Sequence, residues 1–197
     1  MNKEDSSKEK FKQALISTVK VISDDYRQKN ESKNQYSKSI NFFEIDTLIN
    51  KSDFTHFRAE ADSEALKKKF SNKKIYQNNL PKNSSYRSLY DISEKIRYEL
   101  LGSKMLRGIS KNIFENYMQK ISLKRKDQLK SKEDTNVVEA FELYMLKKFL
   151  NVKLNTLTNN MLNFWEKDFD KVMNKHIEFL KENLEYQNEY SSKFSEI

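Results

Sequence analysis

"SEKIRYELLGSKMLRGISKN", residues 93–112, holds both glycines of the chain inside an otherwise helical pattern. Apolar side chains recur at Leu89, Ile92, Ile96, Leu100, Met105, Ile109, Ile113 and Tyr117, the spacing of one helix face. A glycine inside a helix costs roughly 1 kcal/mol relative to alanine, so two of them six residues apart need a reason. Unbroken from 86 to 122, the helix would be about 55 Å long. A compact chain of this size has a radius of gyration near about 16 Å, so the rod must kink at the glycines or protrude.

The neighbouring segments also read as helices. Phe11, Leu15, Val19 and Ile22 place a first helix near 7–23, and residues 53–70 form another, capped by Ser52 or Asp53. Residues 24–39 are loop-like, and "INFFEIDTLI" (40–49) fits strand or helix. "SNKKIYQNNLPKNSS" (71–85) interrupts the pattern before Ser84 or Ser85 caps the long helix. A charged connector over 124–134 leads to a helix in "NVVEAFELYMLKKFL" (136–150). The remainder reads as one or two helices with Leu162, Trp165, Phe169, Val172, His176, Phe179 and Leu180 on one stripe. The expectation is an all-α, irregular bundle in a single domain over 1–197, with a long kinked central helix (86–122) and a long C-terminal helical segment.

Composition removes several function classes. Two Gly and one Pro cannot supply the turns of a sandwich, barrel or doubly wound sheet. No cysteine means no disulfide and no thiolate nucleophile or ligand. No apolar run of membrane-spanning length occurs, and the start lacks a secretory core, so a cytoplasmic location is expected. The net charge of +8 is concentrated in Lys67–Lys74 and Lys120–Lys132. Those runs are the basis of an alternative reading, a basic helical nucleic-acid-binding protein, although solvated helix faces and loops are the favoured explanation of them.

Catalytic motifs are missing. No glycine is followed by Lys-Ser/Thr, so a phosphate-cradling loop is excluded. "DISEK" (91–95) has Lys95 where an adhesion-type metal site needs a serine. His56 and His176 are far apart and flanked by aromatics, and Glu60/Asp62 and Asp168/Asp170 point to different helix faces. Trp165 and its aromatic neighbours read as core rather than as a base-stacking platform. Asp91, Glu94 and Arg97, at i, i+3 and i+6, form a ladder along one face.

Tyr90-Asp91, Glu94, Arg97, Glu99, Gly102, Met105, Gly108 and Asn112 stand on a spacing that resembles the N-terminal region of CobT, a subunit of the aerobic, ATP-dependent cobaltochelatase of cobalamin biosynthesis. Three further segments agree in order: the opening helix, Arg58, Ala61, Asp62, Ala65 and Leu66, and Trp165, Glu166, Asp170, Gln187 and Phe194. Ala59 replaces the glycine usual in the second segment. The resemblance implies a non-catalytic assembly module that binds no cofactor itself. It would work with an AAA+ ATPase subunit and a large corrin-binding subunit, in a ring that contains several copies of the chain and uses ATP, Mg2+ and Co2+. Family members are expected to continue through an acidic linker into a von Willebrand factor A-type domain, before which this chain stops. The candidate partner-binding or motif residues are Arg58, Asp62, Asp91, Glu94, Arg97, Glu99, Gly102, Met105, Gly108 and Asn112, with none assigned to catalysis or metal. Gly102, Gly108, Met105 and Arg97 are expected to pack within the chain, the glycines admitting a neighbouring helix.

Overall fold

A computed structural model describes residues 3–23, 51–123 and 131–197. Among them are nine helices and no strand. They are α1 (Lys3–Ile22), α2 (Lys51–Phe70), α3 (Lys73–Asn78), α4 (Ser84–Met105), α5 (Arg107–Leu123), α6 (Val137–Phe149), α7 (Thr156–Asn163), α8 (Glu166–Glu182) and α9 (Gln187–Glu196). The 24–39 loop, the 40–49 segment and most of the 124–134 connector lie outside the described residues.

The expected central rod is folded in half, not bent. Leu106 alone takes extended backbone (φ −139°, ψ 123°) between α4 and α5. Tyr117 and Glu99, 18 residues apart, are consequently hydrogen-bonded at 2.6 Å, where a continuous helix would separate them by about 27 Å. The reversal happens at neither glycine. Leucine reaches this backbone conformation without strain, and the Leu106 N–H still closes the last turn onto Gly102 O at 3.0 Å.

Helix α2 is the hub of one half, packing against α1, α4 and α5. Its inner row of Ala61, Ala65 and Leu66 is fully buried, and small side chains let the axes approach closely. The other half rests on α6, which touches α4, α7 and α8. Tyr90, Phe194, Phe141 and Phe169 form a continuous run of ring contacts, with centroids 6.2, 6.0 and 5.4 Å apart in turn. That run joins α4, α9, α6 and α8, so the abundant aromatics are core material.

Asparagine starts four helices. The side chains of Asn72, Asn83, Asn136 and Asn155 accept from backbone N–H groups of α3, α4, α6 and α7. Asn83 takes the capping role expected of Ser84 or Ser85, and α2 begins at Lys51, so Ser52 and Asp53 lie in its first turn. The C-terminal segment is three helices rather than one or two. Its inward row is Phe169, Met173, Ile177 and Leu180, whereas Val172 and Phe179 of the expected stripe face outward.

Candidate functional site

Arg97 sits at the middle of α4, fully buried, with Glu94 one turn before it at 3.3 Å. An unpaired buried guanidinium would be prohibitive, so its hydrogen bonds decide what it does. Nη1 donates to Leu184 O (2.9 Å), just beyond α8, and Nη2 donates to Phe70 O (2.7 Å), the last residue of α2. The cation therefore satisfies carbonyls at two helix C-termini, where positive charge is favoured. Glu94 is bound from the opposite side. Its Oε1 accepts from Ser191 Oγ (2.7 Å) and its Oε2 from Gln187 Nε2 (3.0 Å), both in α9. Gln187 Oε1 in turn accepts from Asn72 N–H at 2.6 Å. Next to this cluster, Ser93 Oγ and Tyr190 OH are 2.8 Å apart, and the Tyr190 ring lies 5.9 Å from the guanidinium. Burial and the nearby Glu94 and Asp91 raise the Tyr90 hydroxyl to about 12, against opposing contributions from Ser191 and Arg97.

A second polar centre lies one turn along α4. Glu99 is buried and accepts from Ser63 Oγ and Tyr117 OH, each at 2.6 Å, while Lys95 Nζ stands 3.9 Å away. Burial raises the Glu99 carboxyl above the usual range despite those donors and the lysine. Burial would lower Lys95, but Glu99, Glu60 and Glu142 together hold it above the ordinary lysine value. Nearby, Asn112 Nδ2 donates to Asp62 Oδ2 at 2.6 Å, and burial pushes the Asp62 carboxyl up against Asn112 and Arg58. Gly102 lies against Leu66. A Cβ placed there would overlap both Leu66 methyls and come within 2.9 Å of Leu66 Cγ.

The candidate residues therefore divide in two. Asp62, Glu94, Arg97, Glu99, Gly102 and Asn112 join α2, α4, α5 and α9 to one another. The segments quoted from 58–66, 90–112 and 187–194 are thus parts of one packed unit. Arg58, Asp91, Met105 and Gly108 are exposed. Two expectations need correction here. Asp91 is not part of a surface ladder with Glu94 and Arg97, since it accepts instead from Tyr76 OH while the other two are buried. Among the described residues nothing packs closely on Met105 or Gly108: Met105 is 40% exposed, and a Cβ at Gly108 would meet nothing within 4 Å. The structure offers no explanation for Gly108.

Those two positions flank the turn, where Leu106 is 48% exposed. Beside it an open groove of ≈ 240 Å³ is lined by Leu100, Lys104, Phe114 and Phe149. The first basic run lies elsewhere. Lys67, Lys68 and Lys73 border a cleft of ≈ 630 Å³ together with Glu64 and Asp91. Of the second run, Lys120 pairs with Glu60 at 3.3 Å, and Lys132 contacts Asp168 and covers the Trp165 ring at 4.1 Å. His56 Nδ1 lies 3.1 Å from Asn116 Oδ1, a packing role. Among the described residues no group of three His, Cys, Asp or Glu could hold a metal, and no helix is long and apolar enough to cross a membrane.

Reading the sequence missed Ser63, Ser93, Tyr117, Tyr190 and Ser191 as members of these networks. Serines and tyrosines that complete a buried charge carry no spacing signal of their own. Gln187 was already visible as part of the resemblance. No solved structure matches the chain. The family profile described as "Cobalamin biosynthesis protein CobT" matches residues 5–197. With the 58–66 and 90–112 segments and Gln187 meeting around Arg97, Glu99 and Gly102, and with the profile covering essentially its whole length, the chain belongs to the CobT family.

Proposed function

We propose that, within cobalamin biosynthesis, this chain is a non-catalytic assembly module of an ATP-dependent cobaltochelatase. Its partners would be an AAA+ ATPase subunit, which binds ATP and Mg2+, and a large subunit that holds the corrin precursor and receives Co2+. The observation that carries this reading is the split among the motif residues. Six are used up in holding the bundle together, whereas Met105 and Gly108 border an exposed apolar turn that no part of the described chain covers. Exposed apolar side chains rimmed by Lys104 and Arg107 have the character of a contact surface. On this reading the α4–α5 turn receives the ATPase subunit, and the rigid network behind it transmits displacement.

The test is capture of the cognate ATPase subunit by the full chain, with and without nucleotide, comparing wild type with Leu106→Asp and Met105→Glu. Neither side chain belongs to the buried core, so the variants should stay folded, with melting temperatures close to wild type, and bind at least about tenfold more weakly. Unchanged binding by both variants removes the turn from the contact. No association of wild type under any nucleotide condition overturns the assembly role.

A further inference from the structure

The groove beside the α4–α5 turn has an apolar floor and a rim of one sign of charge. Leu100, Ile113, Phe114 and Val152 line it with carbon, and Ser103 and Ser110 add hydroxyls. Phe114 is 42% exposed, so the apolar lining opens outward. The volume of ≈ 240 Å³ falls short of the roughly 300–1,000 Å³ of small-molecule sites, which leaves room for a protruding side chain rather than a whole cofactor. Two stretches of chain make the groove, and neither 100–114 nor 149–165 contains an aspartate or glutamate. Both contain cations. Lys104 lines the groove itself. Arg107, Ser110 and Phe114, at i, i+3 and i+7, share one face of α5, which puts the guanidinium on the groove's row. Lys153 is exposed directly after Val152, and Lys181 Nζ reaches over from α8 to 5.9 Å from the centre of the Phe149 ring. The nearby carboxylates are taken. Glu115 is 3.8 Å from Lys111, Glu178 is 3.7 Å from Lys181, and Glu99 and Glu142 act on Lys95. Among the described residues no carboxylate pairs with Lys104, Arg107 or Lys153.

We infer that this groove receives an acidic peptide segment of the partner, with one bulky apolar side chain seated on the floor and flanking Asp or Glu residues on the rim. The apolar anchor supplies the buried contact, and Lys104, Arg107 and Lys153 supply steering and register. A basic partner segment is repelled by three cations that have no counter-charge of their own. A nucleic-acid strand fits less well, because it needs aromatic platforms spaced along a basic track. Of the three rings that line the groove, Phe114, Tyr117 and Phe149, only Phe114 is exposed. The inference rests on the assembly reading for which subunit docks at the turn, and goes beyond it by stating the chemistry of the docking segment.

Two measurements on the full chain test it. In the first, isotope-labelled chain is titrated with a synthetic peptide that sets a leucine–phenylalanine pair between two blocks of glutamate. The amide signals of Ser103, Ser110 and Asn151 should shift saturably. They should not shift with Phe114→Asp, nor when the same pair is set between blocks of lysine. In the second, binding of the cognate ATPase subunit should weaken at least about tenfold between about 50 and 500 mM salt. Lys104→Glu, Arg107→Glu and Lys153→Glu should each weaken it by about fivefold or more, whereas Lys82→Glu, before the opposite end of α4, should leave it unchanged. Carbodiimide coupling, which joins an amine directly to a carboxylate, should link Lys104 or Lys153 to Asp or Glu of that subunit. Peptide binding without any association of the ATPase subunit upholds the groove's chemistry and overturns the assembly reading alone. A glutamate peptide that moves none of the three signals, or an association indifferent to salt and to all three charge reversals, overturns the inference. Equal shifts with a single-stranded oligonucleotide would assign the groove to nucleic acid and overturn it as well.

Discussion

The two glycines should respond to alanine with opposite signs. In a helix interior the change from glycine to alanine gains about 1 kcal/mol, because the unfolded chain loses freedom. Gly108 is the second residue of α5, where the gain is smaller than in the interior, and among the described residues no atom lies within 4 Å of the new methyl to oppose it. Gly108→Ala should therefore raise stability by at most about 0.5 kcal/mol. At Gly102 the methyl would fall on three side-chain atoms of Leu66, which is itself fully buried, so Leu66 must shift within the core. Overpacking of this kind costs about 1–3 kcal/mol, and three overlapping atoms put it at the upper end. Subtracting the helix gain leaves Gly102→Ala less stable by about 1–2 kcal/mol, a fall in melting temperature of roughly 2–8 °C for a chain of this size. Urea unfolding with a shared m-value gives both numbers. A double-mutant cycle isolates the cause. Leu66→Ala in the parent should cost about 2–5 kcal/mol for the cavity, and at least about 1 kcal/mol less once alanine occupies 102. If the two glycine variants shift stability in the same direction, or the cycle shows no coupling, the close approach of α2 to α4 is not what holds Gly102.

Arg97→Ala should destabilise by about 3–5 kcal/mol, because Glu94 is left charged and buried without its cation. Arg97→Lys should recover little of that, since one ammonium cannot reach Leu184 O, Phe70 O and Glu94 together; hydrogen exchange in residues 67–72 and 183–191 should speed up in both variants. For Glu99, whose carboxyl is raised by burial, the folded state holds a proton that the unfolded state has released above its ordinary value of 4.5. Its contribution to stability is thus present in acid and is lost as pH rises through the folded value, so Glu99→Gln should flatten the pH dependence of the melting temperature on the alkaline side of 4.5. A wild-type curve and a Glu99→Gln curve that run parallel from pH 5 to 8 would contradict that assignment.

Helix positions were readable because burial repeats every three to four residues: α1, α6 and the two halves of the 86–122 segment follow their apolar spacing. The reversal between those halves was not. It turns on one leucine in extended backbone, and leucine announces no turn as glycine or proline would. The Glu94/Arg97 pair shows the same limit in another form. Residues three apart share a helix face wherever that face points, so the spacing reads equally as a surface ladder or as a buried pair. What decides is that carbonyls of Phe70 and Leu184 wait for the guanidinium, and these come from remote parts of the chain. On α8 two apolar rows coexist, and the sequence stripe mixed members of both: Phe169 and Leu180 point inward, Val172 and Phe179 outward. Asparagine caps were legible in principle, since an Asn precedes each of four helices.

The bonds from Arg97 to Leu184 and from Glu94 to Gln187 and Ser191 span 87, 93 and 97 residues. A chain leaving the ribosome makes α4 long before it makes α9, and until then the two charges have no site to occupy. Helices near the N-terminus can form early, but they cannot close over Arg97 and Glu94 while those side chains still require water. This part of the fold therefore closes only after residues 184–191 have emerged, and a nascent chain stalled short of residue 184 is a natural client for chaperones.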